Sequence, residues 1–283
     1  MQANKKPKYN EIIFTHEQET QIIDMYVNHK KSTVAIGNEY NVSHKTIARL
    51  LDKHGIERSN RGRKYFFDEH YFDNIDTPNK AYILGLLYAD GYNSMDKYTV
   101  RIQLQYTDKS ILEMIRKELR YEKPLKYIKC SDKISSNGFV SKDMYQLEFY
   151  SKHMCETLSK YGMVQNKSLI LEFPNFLDEK LYPHFIRGYY DGDGSLCNHY
   201  TKNGWFQSLL TITSTESFCI KCLEIIRKFS GITGGGIYDA SSHNGITKVI
   251  SISGTNQTKK LLTWLYEDAE LFLERKYKLF TQY

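Results

Sequence analysis

Apolar positions along the chain follow two periods, and each period predicts its own kind of element. From Thr15 to Gly55 they recur every three or four residues, with two short interruptions. Thr15 can cap a first helix running through Ile22, Ile23 and Tyr26, and a second short helix carries Ile36 and Tyr40. Ser43 caps a third, SHKTIARLLDKHG, in which Ile47, Leu50 and Leu51 share one face and Gly55 ends the run. Farther along, AYILGLLYADG (Ala81 to Gly91) is a largely apolar helix that stops on an acid and a glycine. TVRIQLQ (Thr99 to Gln105) then alternates with the period of a strand.

The Asp90 terminus is electrostatically poor, because a helix C-terminus carries partial negative charge and favours cations. The same plan nevertheless occurs twice. FIRGYYDGDGSL (Phe185 to Leu196) again runs from apolar and aromatic residues through a glycine into Asp-Gly, pairing Asp90 with Asp193 and Gly91 with Gly194 at an offset of 103 residues. Downstream elements repeat as well. After Asp90 come TVRIQLQ, the helix KSILEMIRKEL, strands around LKYIKCS and MYQLEFYS, and the helix HMCETLSKYG. After Asp193 come SLLTITS, the helix ESFCIKCLEIIRKF, strands GGIYDAS and KVISISG, and the helix QTKKLLTWLYEDA. The expected fold is α+β: two αββαββα subdomains related by a pseudo-two-fold axis, preceded by a small all-α domain.

Within each opening helix, small residues stand at i and i+4, Gly85 with Ala89 and Gly188 with Gly192, so that two backbones can approach closely on that face. Helices packed on those faces would bring Asp90 and Asp193 together. Two neighbouring carboxylates cost several kcal/mol to desolvate, of the order expected for buried charge, unless a cation neutralises them. Mg²⁺ or Mn²⁺, a hard ion preferring oxygen ligands, suits Asp90 and Asp193 with the adjacent Gly91 and Gly194, and phosphodiester hydrolysis uses such sites.

Charge adds a partner. Residues 1–64 hold twelve of the 39 Lys and Arg but only seven of the 33 Asp and Glu, a net +5 within a chain of formal charge +6. This basic excess coincides with the three-helix segment, whose phrasing resembles the helix-turn-helix of many bacterial regulators, with Gly37 at the close helix approach. In that docking mode the third helix enters the DNA major groove, offering His44, Lys45, Thr46 and Arg49. ERSNRGRKY follows, a basic stretch whose Arg58, Arg61 and Arg63 suit the backbone or minor groove. The expected domains are 1–57 helix-turn-helix, 58–76 linker, 77–180 first subdomain and 181–283 second subdomain. Five cysteines read as reduced thiols, Cys219 and Cys222 as helix-face core rather than zinc ligands. No apolar run is long enough to span a bilayer, so a cytoplasmic, nucleoid-associated protein is expected.

ILGLLYADG (Ile83 to Gly91) and IRGYYDGDG (Ile186 to Gly194) resemble the two name-giving motifs of the LAGLIDADG homing endonuclease family, and the likeness extends from about Thr77 to the C-terminus. The resemblance implies a pseudo-symmetric monomer whose paired helices carry one metal-binding acid each. It also implies sheets forming a saddle on double-stranded DNA, and cleavage of both strands with a divalent metal. Asp90 and Asp193 fall on the motif's last acid, while Tyr88 replaces the earlier acid that Asp191 keeps. The family's basic residue near the scissile phosphates corresponds to Lys167 and Lys276, which could equally be surface lysines. On TVRIQLQ, Arg101, Gln103 and Gln105 share the face that would read base edges, with Thr211 and Thr213 as a weaker set in the second copy. Two other functions fit the same scaffold: a non-cleaving DNA-binding transcriptional regulator, and an intron RNA maturase.

Overall fold

The computed structural model describes Ile12 and residues 14–29, 31–56, 65–130, 140–200, 202–204, 206–240 and 247–283. Contacts divide the chain into two units, Met1–Tyr65 and Phe66–Tyr283.

The first unit is built from α1 (His16–Val27), α2 (Thr33–Glu39) and α3 (His44–Lys53). Thr15 forms a reciprocal capping box with Gln18, and the hydroxyls of Ser32 and Ser43 accept from backbone N–H groups at the starts of α2 and α3. Ile22, Ile36, Ile47, Leu50 and Leu51 close on one small core. Gly37 is buried there, and a Cβ in its place would lie 2.7 Å from the Val42 carbonyl oxygen. The turn from α2 into α3 therefore requires its missing side chain.

The second unit contains the repeat. The first copy runs α4 (Pro78–Asp90), β1 (Gly91–Ser94), β2 (Thr99–Gln105), α5 (Lys109–Glu118), β3 (Lys126–Ile128), β4 (Met144–Tyr150) and α6 (Lys152–Lys160). The second runs α7 (Tyr182–Asp193), β5 (Gly194–Tyr200), β6 (Phe206–Ser214), α8 (Glu216–Ser230), β7 (Gly236–Asp239), β8 (Lys248–Ser253) and α9 (Thr255–Tyr266), with a further α10 (Glu274–Phe280). Each copy is αββαββα, and the sheets share one antiparallel topology, β1-β2-β4-β3 and β5-β6-β8-β7.

Alternation decides which face of each sheet is covered. Val100, Ile102, Leu104, Leu147 and Phe149 are buried on the helix side, as are Leu210, Ile212, Ile250 and Ile252 in the second sheet. Cys219 and Cys222 are free thiols buried on α8, part of its apolar face. The linker expected over 58–76 ends early: from Phe66 the chain belongs to the second unit, with Phe67, Tyr71 and Phe72 buried. These aromatics bury too much apolar surface to remain a solvated tether. Arg58, Arg61 and Arg63 lie outside the described residues.

Candidate active site at the paired helix ends

Helices α4 and α7 pack backbone to backbone. A Cβ on Gly85 would overlap the Phe185 carbonyl oxygen and lie 2.9 Å from the Tyr189 nitrogen. On Gly188 it would overlap the Tyr82 carbonyl oxygen and lie 2.9 Å from the Leu86 nitrogen. One turn on, Gly192 faces Ala89 and the Asp90 carboxylate, so the last turns converge. The small residues at i and i+4 are thus the contact surface itself, and Asp90 and Asp193 end the two helices side by side.

Gly91 and Gly194 follow the acids with extended backbone, φ −80° and −94°, which any residue could adopt. Their role is space. A Cβ at Gly91 would strike Leu87, and one at Gly194 would strike Tyr190. Each glycine lets the chain leave the helix directly into the first strand of its sheet.

Both carboxylates keep solvent-exposed surface, yet the protein around them removes enough hydration to matter. Desolvation, reinforced by the Asp193 charge, pushes Asp90 up to about 6; Lys276, Lys167 and Arg275 act in the opposite direction. Asp193 is raised too, by desolvation, against Lys167, Lys276 and a hydrogen bond from Tyr189. Among the described residues neither acid has an ion-pair partner within 4.0 Å.

The lysines are buried, only 6% and 4% exposed, which removes the surface reading of both. Lys167, in a short 3₁₀ turn at 167–169, donates to the carbonyls of Ala89 (3.3 Å) and Gly91 (2.7 Å). Lys276 on α10 donates to the carbonyls of Tyr190 and Gly194, the latter at 2.7 Å. Each lysine therefore caps the C-terminus of one motif helix, where the helix dipole favours a cation. Sequence reasoning assigned the whole compensation of the paired acids to a metal; two lysines supply part of it. Burial lowers both ammonium groups, Lys276 to about 8. The Gly91 and Gly194 carbonyls, named as metal ligands, already accept these hydrogen bonds.

Asp191 is not at the solvent side at all. It is fully buried and accepts from Tyr82 Oη (2.8 Å), Tyr266 Oη (2.6 Å) and the Leu273 amide (2.8 Å). Its counterpart Tyr88 donates to the Tyr161 carbonyl.

The residues expected to contact nucleic acid fall in several places. Arg101, Gln103 and Gln105 share the half-exposed face of β2, with the Arg101 guanidinium 4.6 Å over the Tyr92 ring. Gln103 donates to Met144 Sδ, and Gln105 accepts from Lys142. Thr211 and Thr213 occupy the corresponding half-exposed face of β6. On α3, His44, Lys45 and Arg49 are exposed, whereas the Thr46 hydroxyl lies 2.9 Å from that of Ser43 and belongs to the helix cap. Three contributors were missed in the sequence. Tyr189 touches the electrostatics of Asp193, Arg275 those of Asp90, and Tyr92 supports Arg101. Only Tyr92, two residues after Asp90, had a local signal.

No family model matches the chain. Over 116 residues, 41% of its length, it is 29% identical to the DNA-directed RNA polymerase subunit Rpo1C of Methanocaldococcus jannaschii, and the match spans 12% of that protein. Among solved structures it is similar to the LAGLIDADG homing endonuclease I-GzeII in complex with DNA target, at 14% identity over 72% of this chain and 87% of that one, TM-score 0.47. It is similar to the I-LtrWI LAGLIDADG homing endonuclease bound to target DNA, at 13% identity over 76% and 89%, TM-score 0.43. Full-length DUF199/WhiA from Thermatoga maritima is a third, at 17% identity over 76% and 63%, TM-score 0.44. No helix among the described residues is long and apolar enough to cross a membrane.

Proposed function

We propose that the chain is a site-specific, divalent-metal-dependent endonuclease acting on double-stranded DNA, built on a LAGLIDADG scaffold and working as a monomer. The observation that carries this reading is the pair Asp90 and Asp193. Two solvent-reaching carboxylates are forced together by a glycine-lined helix seam and left without an ion-pair partner among the described residues. A fold gains nothing in stability from that arrangement.

The donor set fits a hard cation: two carboxylates reachable from solvent, with the Gly91 and Gly194 carbonyls beside them. Mg²⁺ or Mn²⁺ held there would activate water and offset charge on the phosphate. The chain's own residues do the rest. Lys167 and Lys276 fix the carbonyls at the helix ends and place two positive charges near a polyanion. Arg101, Gln103 and Gln105 on β2, with Thr211 and Thr213 on β6, present polar groups suited to base edges. The three-helix unit, read as a helix-turn-helix, adds His44, Lys45 and Arg49 as phosphate or base contacts, and tethering it to the repeat raises the effective concentration of each part on DNA.

The test is cleavage of a library of randomised linear duplexes, with the new ends captured and sequenced, in Mg²⁺ and in EDTA. Recurrent metal-dependent double-strand ends, lost with Asp90→Asn and Asp193→Asn while duplex binding persists, are the expected result. Duplex binding with no ends in any metal would refute cleavage.

One observation favours a second reading, a DNA-binding regulator that does not cut. The two buried lysines already bring compensating charge to the acids and engage both glycine carbonyls. The same assay separates the two.

A further inference from the structure

A second group of ligand-type side chains stands apart from the paired acids. His70 and Asp73 belong to the turn that precedes α4, and His153 to the first turn of α6. His70 Nδ1 lies 2.8 Å from Asp73 Oδ2, and His153 Nε2 lies 2.5 Å from Oδ1 of the same carboxylate. The two imidazole rings are 4.3 Å apart, and all three ligand atoms fall within 4.8 Å of one another.

Both sides of this trio are anchored independently of it. Phe67, Tyr71 and Phe72 bury the segment that carries His70 and Asp73. Tyr161 Oη, just after α6, donates to the Asp73 carbonyl at 3.0 Å, and Ser151, which caps α6, donates to Glu69 at 2.5 Å. The ligands therefore converge without the trio having to pull them together, which lowers the cost of seating an ion. A tetrahedral ion with bonds of about 2.0–2.2 Å spaces its ligands by about 3.3 Å, so each imidazole must open from the carboxylate by less than about 1 Å and the two imidazole nitrogens, within 4.8 Å of each other, close by no more than about 1.5 Å. The side chains of His70 and Asp73 are partly exposed and can do so.

We propose that His70 Nδ1, His153 Nε2 and the Asp73 carboxylate form a binding site for a zinc-class divalent ion, water completing the shell, which clips the segment 66–76 onto α6. Two imidazoles with one carboxylate select Zn²⁺, Co²⁺ or Ni²⁺ over Mg²⁺, whereas the Asp90/Asp193 pair offers oxygen alone. The two sites therefore sort ions by chemistry.

The test uses the untagged full chain carrying Asp90→Asn and Asp193→Asn, which silences the paired acids, stripped with EDTA and titrated calorimetrically with Zn²⁺. One equivalent should bind and raise Tm. Adding His70→Ala and His153→Ala should remove that equivalent and the rise in Tm. Zinc-edge X-ray absorption of the histidine-intact protein should show two imidazoles in the first shell, a readout that does not depend on the histidine variants folding. No bound equivalent, undiminished binding by the histidine variants, or a shell without imidazole would overturn the proposal.

Discussion

The two copies of the αββαββα unit present the same acid at the same helix end, yet they support it differently. In the first copy the residue two before the acid is Tyr88, whose hydroxyl reaches the Tyr161 carbonyl. In the second it is Asp191, a fully buried carboxylate held by two tyrosine hydroxyls and an amide. Beside it Arg187, also fully buried, donates to the carbonyls of Leu271 (3.0 Å) and Leu265 (2.7 Å), where the first copy has Leu84. The first motif helix thus has a leucine and a tyrosine where the second has an arginine and a carboxylate, and that carboxylate reaches back to Tyr82 of the first. A repeat can keep the placement of its helix-ending acid while leaving the means of fixing it free to diverge.

That contrast should appear most strongly in stability. Asp191→Leu strands the hydroxyls of Tyr82 and Tyr266 and the Leu273 amide, and should cost about 4 kcal/mol. Tyr88→Phe, which frees one carbonyl, should cost about 1 kcal/mol, both read from urea melts. Equal losses would break the comparison. Gly85→Val and Gly188→Val, by contrast, set a side chain against the other helix's backbone and should each cost about 3 kcal/mol, because the seam is shared.

Metal affinity should report the paired acids. In the proposed site protons compete with the ion for Asp90, whose carboxyl desolvation pushes up to about 6, so Mn²⁺ affinity should level off above that pH and fall about tenfold per unit below it. A pH-independent affinity between 5 and 7 would place the ion elsewhere. The smallest effect is on the metal-free fold. Asp90 has a folded pKa above its ordinary 3.8, so the native state holds a proton that the unfolded chain has lost, and stability declines as pH rises from about 4 to 6. Asp90→Asn should therefore stabilise the metal-free protein by about 1 kcal/mol at pH 8, allowing for solvent screening of the exposed carboxylate, and by nothing at pH 3.

Much of this was legible in the residues because it rests on short-range periodicity. The stripe Ile47, Leu50, Leu51 forms the buried face of α3, and the alternation of TVRIQLQ gives the two faces of β2. Glycine spacing in two matched helices anticipated a seam at which backbones touch. What stayed hidden depends on segments far apart in the chain. Lys167 and Lys276 look like any lysine until the fold brings them 76 and 82 residues back to the Gly91 and Gly194 carbonyls. Strand β1, four residues reading GYNS, carries no alternation to recognise. Phe67, Tyr71 and Phe72 were a visible sign that the basic stretch had ended, outweighed by the charge of the residues before them.

The seam has one further property. Bare backbone at Gly85 and Gly188 sets how closely the two helices approach, and the polar contacts across the seam set which two helices they are. Tyr82 finds Asp191, Asp108 finds Arg275 (3.2 Å) and Asn79 finds Glu270 (3.0 Å), each pair drawing one member from each half. Two first halves would leave the Tyr82 hydroxyls without an acceptor, and two second halves would leave Asp191 short of a donor. The molecule thus encodes in three pairs which half belongs with which, a preference for unlike over like that would persist if the halves were made as separate chains.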